Sequence, residues 1–140
     1  MKRRFWLQMG AAWCSPFVWA TSFAQTSAED HISLLEARRL HEAGAAILID
    51  IREPEEHAAG VIAGARLLPM SQLGQRISEI PADNKLPVLL ICRTQNRSSS
   101  VLRAMRKQFG GQSFAHVRFV QGGMSQWAER GWPTVMPVRR

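Results

Sequence analysis

The stretch Leu86-Pro-Val-Leu-Leu-Ile-Cys-Arg-Thr-Gln-Asn-Arg-Ser-Ser-Ser-Val-Leu-Arg103 decides the fold. A short apolar run, residues 88–91, ends at Cys92, and a polar turn with two arginines follows. Beyond the turn the apolar residues recur at helical spacing: Val101, Leu102, Met105 and Phe109. This order predicts a strand, a loop and a helix, with Cys92 at the carboxyl end of the strand.

Helical and apolar patterns alternate along the rest of the chain. A helix is predicted after Ser33 as N-cap, a buried strand over residues 46–51, and a short helix that begins near Pro54. The later elements are a strand at 65–68, helices at 71–80 and 99–109, a strand at 115–120 and a helix at 124–130. This alternation predicts an α/β domain of three layers, with a central, mainly parallel sheet covered by helices on both faces.

The first 24 residues have the layout of a secretory signal peptide. Residues 1–4 are basic, residues 5–20 are mostly apolar and uncharged, and Ser22-Phe-Ala24 places small residues where signal peptidase cuts. The apolar stretch is shorter than the roughly 20 residues that span a bilayer. We expect cleavage after Ala24, a periplasmic or secreted protein, and no stable membrane association of the mature chain. The sequence leaves open whether this segment stays uncleaved as a membrane anchor. It also leaves open whether export uses the Sec or the twin-arginine route.

Net charge and cysteine content restrict the classes of binding partner that the protein is expected to have. Without Lys2, Arg3 and Arg4 the net charge falls from +7 to +4, and the remaining cations are scattered, which argues against a nucleic-acid partner. Cys14 would leave with the signal peptide, so Cys92 would be the sole thiol in an oxidising compartment. A lone thiol there suggests reactivity or pairing between molecules, with a buried, inert cysteine as the alternative, and the oligomeric state is left open. No His and Cys spacing suggests a metal site, and we expect no cofactor.

The position of Cys92 suggests a nucleophile. In parallel α/β sheets ligands bind beyond the carboxyl ends of the strands. The following helix would present unpaired N–H groups and the positive end of its dipole to this position. Arg93 and Arg97 add formal positive charge. All three effects stabilise the thiolate over the thiol.

Three motifs in order resemble the rhodanese sulfurtransferases. Cys92-Arg-Thr-Gln-Asn-Arg-Ser98 resembles the active-site loop of that family. The first signature is matched by Leu48-Ile-Asp-Ile-Arg-Glu-Pro-Glu-Glu-His57 with Gly60-Val-Ile-Ala-Gly-Ala65, and the closing segment by Gln121-Gly-Gly-Met-Ser-Gln-Trp127 with Gly131-Trp-Pro133. The resemblance implies a rhodanese-like domain over residues 31–138.

The resemblance also implies a two-step sulfur transfer. The Cys92 thiolate would take the outer sulfur of a small anionic donor such as thiosulfate, and cyanide or a thiol would then remove it from the Cys92 persulfide. Cys92 would be the catalytic residue. The loop that follows would bind the substrate through its backbone N–H groups and side chains: Arg93, Thr94, Gln95, Asn96, Arg97 and Ser98.

The chain departs from the family pattern at two positions. Glycine is common where Gln95 stands, and glutamine takes a positive φ only at a cost. We therefore expect either a different loop shape or a Gln95 that faces the entrance and selects substrates. Histidine is common where Val61 stands, so any role of that histidine is absent here.

Other polar residues are expected to have structural roles. Asp50 is expected to hold a turn or to pair with Arg52. We expect the acidic residues at 53, 55 and 56 to form a solvated helix start, and His57 and His116 to be structural or at the surface.

Two other functions are weighed against sulfur transfer. A Cys-dependent phosphatase or arsenate reductase uses Cys-x5-Arg, whereas only four residues separate Cys92 from Arg97, which leaves the ring of N–H groups one residue short. A non-catalytic binding or sulfur-carrier module would keep the fold without turnover. Inactive members of the family usually lose the cysteine, which is present here.

Overall fold

The computed structural model describes residues 30–83 and 85–138. The predicted signal peptide, residues 1–24, lies outside the described residues. Within the described part of the chain, no helix is both long enough and apolar enough to cross a membrane.

The centre of the domain is a five-stranded sheet. In chain order its strands are β1 (His31–Ile32), β2 (Ile47–Asp50), β3 (Arg66–Leu67), β4 (Val88–Ile91) and β5 (Val117–Val120). Their order across the sheet is β1-β5-β4-β2-β3, and every neighbouring pair is parallel. The strand that carries Cys92 is therefore the middle one. The predicted α/β class with a mainly parallel sheet is confirmed.

Helices follow or precede each strand. They are α1 (Leu34–Glu42), α2 (Pro54–His57), α3 (Leu73–Arg76), α4 (Asn96–Phe109) and α5 (Gly123–Glu129). The predicted cap of α1 is confirmed, because the Ser33 hydroxyl accepts a hydrogen bond from the Glu36 N–H at 3.2 Å. The single helix predicted at 71–80 is wrong: 3₁₀ turns flank the four residues of α3. Gly74 lowers the helix propensity of this segment.

Alternate residues of β4 supply two separate apolar cores. Val88 and Leu90 pack with apolar residues of α4, whereas Leu89 and Ile91 pack with residues of α1 and α5. All four side chains are at most 1% exposed. A strand buried on both faces needs a continuous apolar run, which is what the sequence has at 88–91. The three layers place the carboxyl end of β4 in the middle of one edge of the domain.

Helix α4 begins three residues earlier than the sequence suggested. The prediction placed its start at Ser99, after a serine cap, but the first helical residue is Asn96 and the N-cap is Gln95. Ser98 is buried within the first turn, and its hydroxyl donates to the Gln95 carbonyl at 3.1 Å. The loop between β4 and α4 is therefore short, and Asn96, Arg97 and Ser98 are helical.

Candidate active site

Cys92 directly follows the central strand. It is a free cysteine and only 1% exposed. Its Sγ lies 3.4 Å from the Ser98 Oγ, and either atom can donate in this contact. The short loop therefore places Ser98, in the first turn of α4, beside the thiol of Cys92.

The backbone of the loop leaves a set of amides without partners. Among the hydrogen bonds of the described residues, none is donated by the N–H groups from Arg93 to Ser98, and the Ser99 N–H is the first to bond, to the Gln95 carbonyl at 2.9 Å. Unpaired N–H groups at the start of a helix favour an anion. The fourteen-residue helix α4 adds its dipole to this effect.

Arg97 is engaged by a carboxylate that the sequence did not assign to the site. Its two terminal nitrogens donate to the two oxygens of Glu56, each at 2.6 Å. These hydrogen bonds lower the pKa of Glu56 from 4.5 to about 2 and raise the pKa of Arg97. The expectation that Glu56 is a solvated acid is wrong, because half-buried Arg97 binds it with both nitrogens. The signal available in the sequence was a carboxylate in the short helix that follows β2.

The other predicted side chains of the loop are exposed. Arg93, Thr94, Gln95 and Asn96 all face solvent. Arg93 forms no ion pair with any residue that the structure describes. It is therefore the cation of the loop that an incoming anion meets without competition from a carboxylate.

The backbone of Gln95 lies outside the left-handed region that favours glycine. Its φ is −152°, so no positive-φ cost arises at this position. Its side-chain Oε1 accepts a hydrogen bond from the Gly122 N–H at 3.2 Å. Gln95 thus links the loop to the start of α5.

Backbone N–H groups at the start of α5 bind the carbonyl groups of the loop. The Met124 N–H donates to the Cys92 carbonyl at 2.9 Å, and the Ser125 N–H donates to the Arg93 carbonyl at 2.8 Å. A Cβ on Gly123 would lie 2.1 Å from the Thr94 carbonyl oxygen. Only glycine allows this close approach. The sequence indicated a turn after β5 but not this contact. The first of these hydrogen bonds places Met124 beside Cys92.

A buried ion pair fixes α2 beside the site. The Arg52 guanidinium binds the Asp50 carboxylate with a shortest distance of 2.6 Å, as predicted, and also donates to the Gly60 carbonyl at 2.9 Å. Arg52 further donates to the Glu56 carbonyl at 3.2 Å. His57 is buried, with Nε2 3.5 Å from Asp50, so its role is structural. These contacts hold the helix that carries the Glu56 side chain.

Sequence comparison defines the family. The signature of the rhodanese-like domain matches residues 33–130. The chain is 36% identical over 101 residues to a sulfurtransferase of Allochromatium vinosum, a match that covers 72% of this chain and 89% of that protein. It is 35% identical over 92 residues to the thiosulfate sulfurtransferase GlpE of Pseudomonas putida, covering 66% of this chain and 78% of the relative. The chain belongs to the rhodanese family.

Structural comparison agrees with this assignment. The fold is similar to that of a rhodanese-related protein from Thermoplasma volcanium, with a TM-score of 0.61 and 30% sequence identity over 76% of this chain and 98% of the other. A human single-domain sulfurtransferase, TSTD1, has the same fold at 24% identity, with a TM-score of 0.61 over 72% of this chain and 96% of that one.

Proposed function

We propose that this protein is a sulfurtransferase that moves a sulfane sulfur from a small anionic donor to a thiol or cyanide through a persulfide on Cys92. One observation carries the proposal: Cys92 ends the central strand, directly before six backbone N–H groups that have no acceptor among the described residues. The sulfurtransferase names of the relatives support it.

In the first step the Cys92 thiolate attacks the outer sulfur of the donor. A bond forms between Sγ and that sulfur, and the sulfur–sulfur bond of the donor breaks with its electron pair leaving on sulfite when thiosulfate is the donor. The products are the Cys92 persulfide anion and sulfite, so charge is conserved. The unpaired amides from Arg93 to Ser98 provide the hydrogen bonds that hold the persulfide anion.

In the second step an acceptor removes the outer sulfur. Cyanide attacks it, the bond to Sγ breaks, and the electron pair returns to Cys92 as thiolate while thiocyanate leaves. A thiolate acceptor would take the sulfur in the same way and become a persulfide itself. The Ser98 hydroxyl, 3.4 Å from Sγ, can donate a hydrogen bond to the regenerated thiolate.

Steady-state kinetics test this function. With thiosulfate and cyanide varied together, we expect parallel reciprocal plots, the pattern of a covalent intermediate, and no thiocyanate from Cys92→Ala. The same preparations should leave an aryl phosphate intact. Thiocyanate formation by Cys92→Ala at the wild-type rate would remove Cys92 from the mechanism, and phosphate release by the wild type would favour phosphatase chemistry.

We also propose that the protein acts outside the cytoplasm, after cleavage at Ala24. The sequence of residues 1–24, which lie outside the described residues, supports this proposal. Export would place the sulfur donor and acceptor in the periplasm or beyond the cell.

A further inference from the structure

The two cations of the loop differ in what they offer to an anion. Both oxygens of Glu56 bind the terminal nitrogens of Arg97 at 2.6 Å, so a carboxylate offsets the charge of this guanidinium. Arg93 is exposed and has no carboxylate partner in the described part of the chain. An anionic donor therefore meets one uncompensated guanidinium rather than two.

Glu56 is held in place by contacts other than the one with Arg97. Its Oε2 accepts a hydrogen bond from the Glu53 N–H at 3.1 Å, and its carbonyl accepts from Arg52 at 3.2 Å. Glu53 in turn accepts from the Ser71 hydroxyl at 2.7 Å. The carboxylate of Glu56 is thus part of a fixed turn at the start of α2, and a donor cannot simply displace it into solvent.

The pair is close enough to Cys92 to affect an anion bound there. Arg97 directly precedes Ser98, whose hydroxyl lies 3.4 Å from the Cys92 Sγ. The charges of both Arg97 and Glu56 therefore act on a donor that reacts at Sγ. It is attracted by Arg97 and repelled by Glu56, so the carboxylate offsets part of the attraction.

We propose that Glu56 sets the donor specificity of the site by offsetting the charge of Arg97, so that the site favours monoanionic organic sulfane donors over dianionic thiosulfate. The inference rests on the proposed sulfur-transfer function and names its donor class: organic persulfides and thiosulfonates, whose anions carry one negative charge fewer than thiosulfate. Glu56 acts through Arg97 and is a positioning residue.

Two donors of matched chemistry test the inference. Thiosulfate and methanethiosulfonate both give their outer sulfur to a thiolate, with sulfite or methanesulfinate leaving, and they differ by one charge. In Glu56→Gln, with cyanide as acceptor, we expect KM for thiosulfate to fall about fivefold, KM for methanethiosulfonate to fall by less than about twofold, and kcat to change little.

Glu55→Gln is the matched control. Glu55 is the preceding residue of α2, is exposed, and forms no ion pair with a described residue, so its replacement removes the same charge without freeing Arg97. We expect both KM values to stay within about twofold of the wild type. A fall in KM for thiosulfate as large as that of Glu56→Gln would assign the effect to overall charge and overturn the inference.

Three further results would bear on the role of Glu56 in donor specificity. An unchanged or raised KM for thiosulfate in Glu56→Gln, or equal changes for both donors, would show that Glu56 does not discriminate by charge. Salt dependence offers an independent measurement: between 20 and 200 mM salt, KM for thiosulfate should rise less for the wild type than for Glu56→Gln, and an equal rise would contradict the compensation of Arg97 by Glu56. Failure of both donors to yield thiocyanate with the wild type would instead reject the sulfur-transfer function itself.

Discussion

At the scale of single residues, the site depends on where backbone atoms lie as much as on reactive side chains. Cys92 supplies the thiol, but its carbonyl is bonded to the Met124 N–H and the next carbonyl to the Ser125 N–H. Gly123 permits this contact, because any side chain there would meet the Thr94 carbonyl. A residue without a functional group is therefore necessary for the shape of the loop.

Replacing Gly123 should disturb the site more than replacing a comparable glycine. Gly123 and Gly131 both have positive φ, 57° and 65°, but a Cβ at Gly131 would meet nothing within 4 Å. Both substitutions to alanine carry the backbone cost of about 1 kcal/mol, and Gly123→Ala adds about 1–3 kcal/mol from the forced contact. Urea unfolding measures the difference, and equal losses of stability for the two variants would contradict the close packing of α5 on the loop.

Arg93 is the loop cation that we expect to attract the donor. Removing it should raise KM for thiosulfate about fivefold and leave the thermal midpoint within about 2 °C, because its side chain is exposed and unpaired among the described residues. Arg103→Ala, on the exposed face of α4, is the control and should leave KM unchanged. Equal KM values for Arg93→Ala and the wild type would remove Arg93 from donor binding.

At the scale of elements, helix α2 links the end of β2 to the start of α4. The buried pair of Asp50 and Arg52 holds its backbone, and Glu56 reaches from it to Arg97. The sequence predicted the helix and the first pair, since these contacts are local. The second pair joins residues 41 positions apart and depends on how two elements meet in space, which no local pattern encodes.

The ion pair between Glu56 of α2 and Arg97 of α4 should make the stability of the fold depend on pH. The pKa of Glu56 is lowered in the folded protein to about 2, from 4.5, so the pair stabilises the fold above about pH 4.5 and the contribution is lost as the pH falls towards 2. Partial exposure limits it to about 1 kcal/mol. The difference between the thermal midpoints of the wild type and Glu56→Gln should be largest at pH 7, shrink below about pH 4.5 and vanish as the pH approaches 2; a constant difference across this range would contradict the assigned pair.

The boundaries of the loop show where sequence patterns were less informative. The apolar run at 88–91 fixed β4, and helical spacing fixed the body of α4. Three consecutive serines suggested a cap at the wrong place, because Ser98 is turned inward toward Cys92 and Gln95 takes the cap position without a side-chain hydrogen bond to the helix. Tertiary contacts of the thiol thus override the usual preference of serine for the N-cap.

At the scale of the whole molecule, the parallel sheet with two apolar cores was predictable, since runs of buried residues alternate with amphipathic helices. The same order of strands places β4 between β2 and β5, so that loops after all three strands meet at one edge. The three sequence motifs follow these strands. Their convergence places all three motifs at a single edge of the sheet.

Export is a prediction about the whole chain. We expect the mature protein in the periplasmic or secreted fraction to begin at Gln25, because small residues precede this position at the cleavage site. N-terminal sequencing of the protein recovered from fractionated cells measures this directly. A full-length chain that begins at Met1 in the membrane fraction would favour an uncleaved anchor instead.

The central claim is that Cys92 carries the sulfur between donor and acceptor. Intact-protein mass spectrometry after incubation with thiosulfate or methanethiosulfonate, followed by removal of the excess donor, tests it most directly. The account predicts a gain of one sulfur atom on Cys92, absent in Cys92→Ala and lost on addition of cyanide as thiocyanate forms. No mass gain with either donor, or a gain that persists in Cys92→Ala, would contradict it.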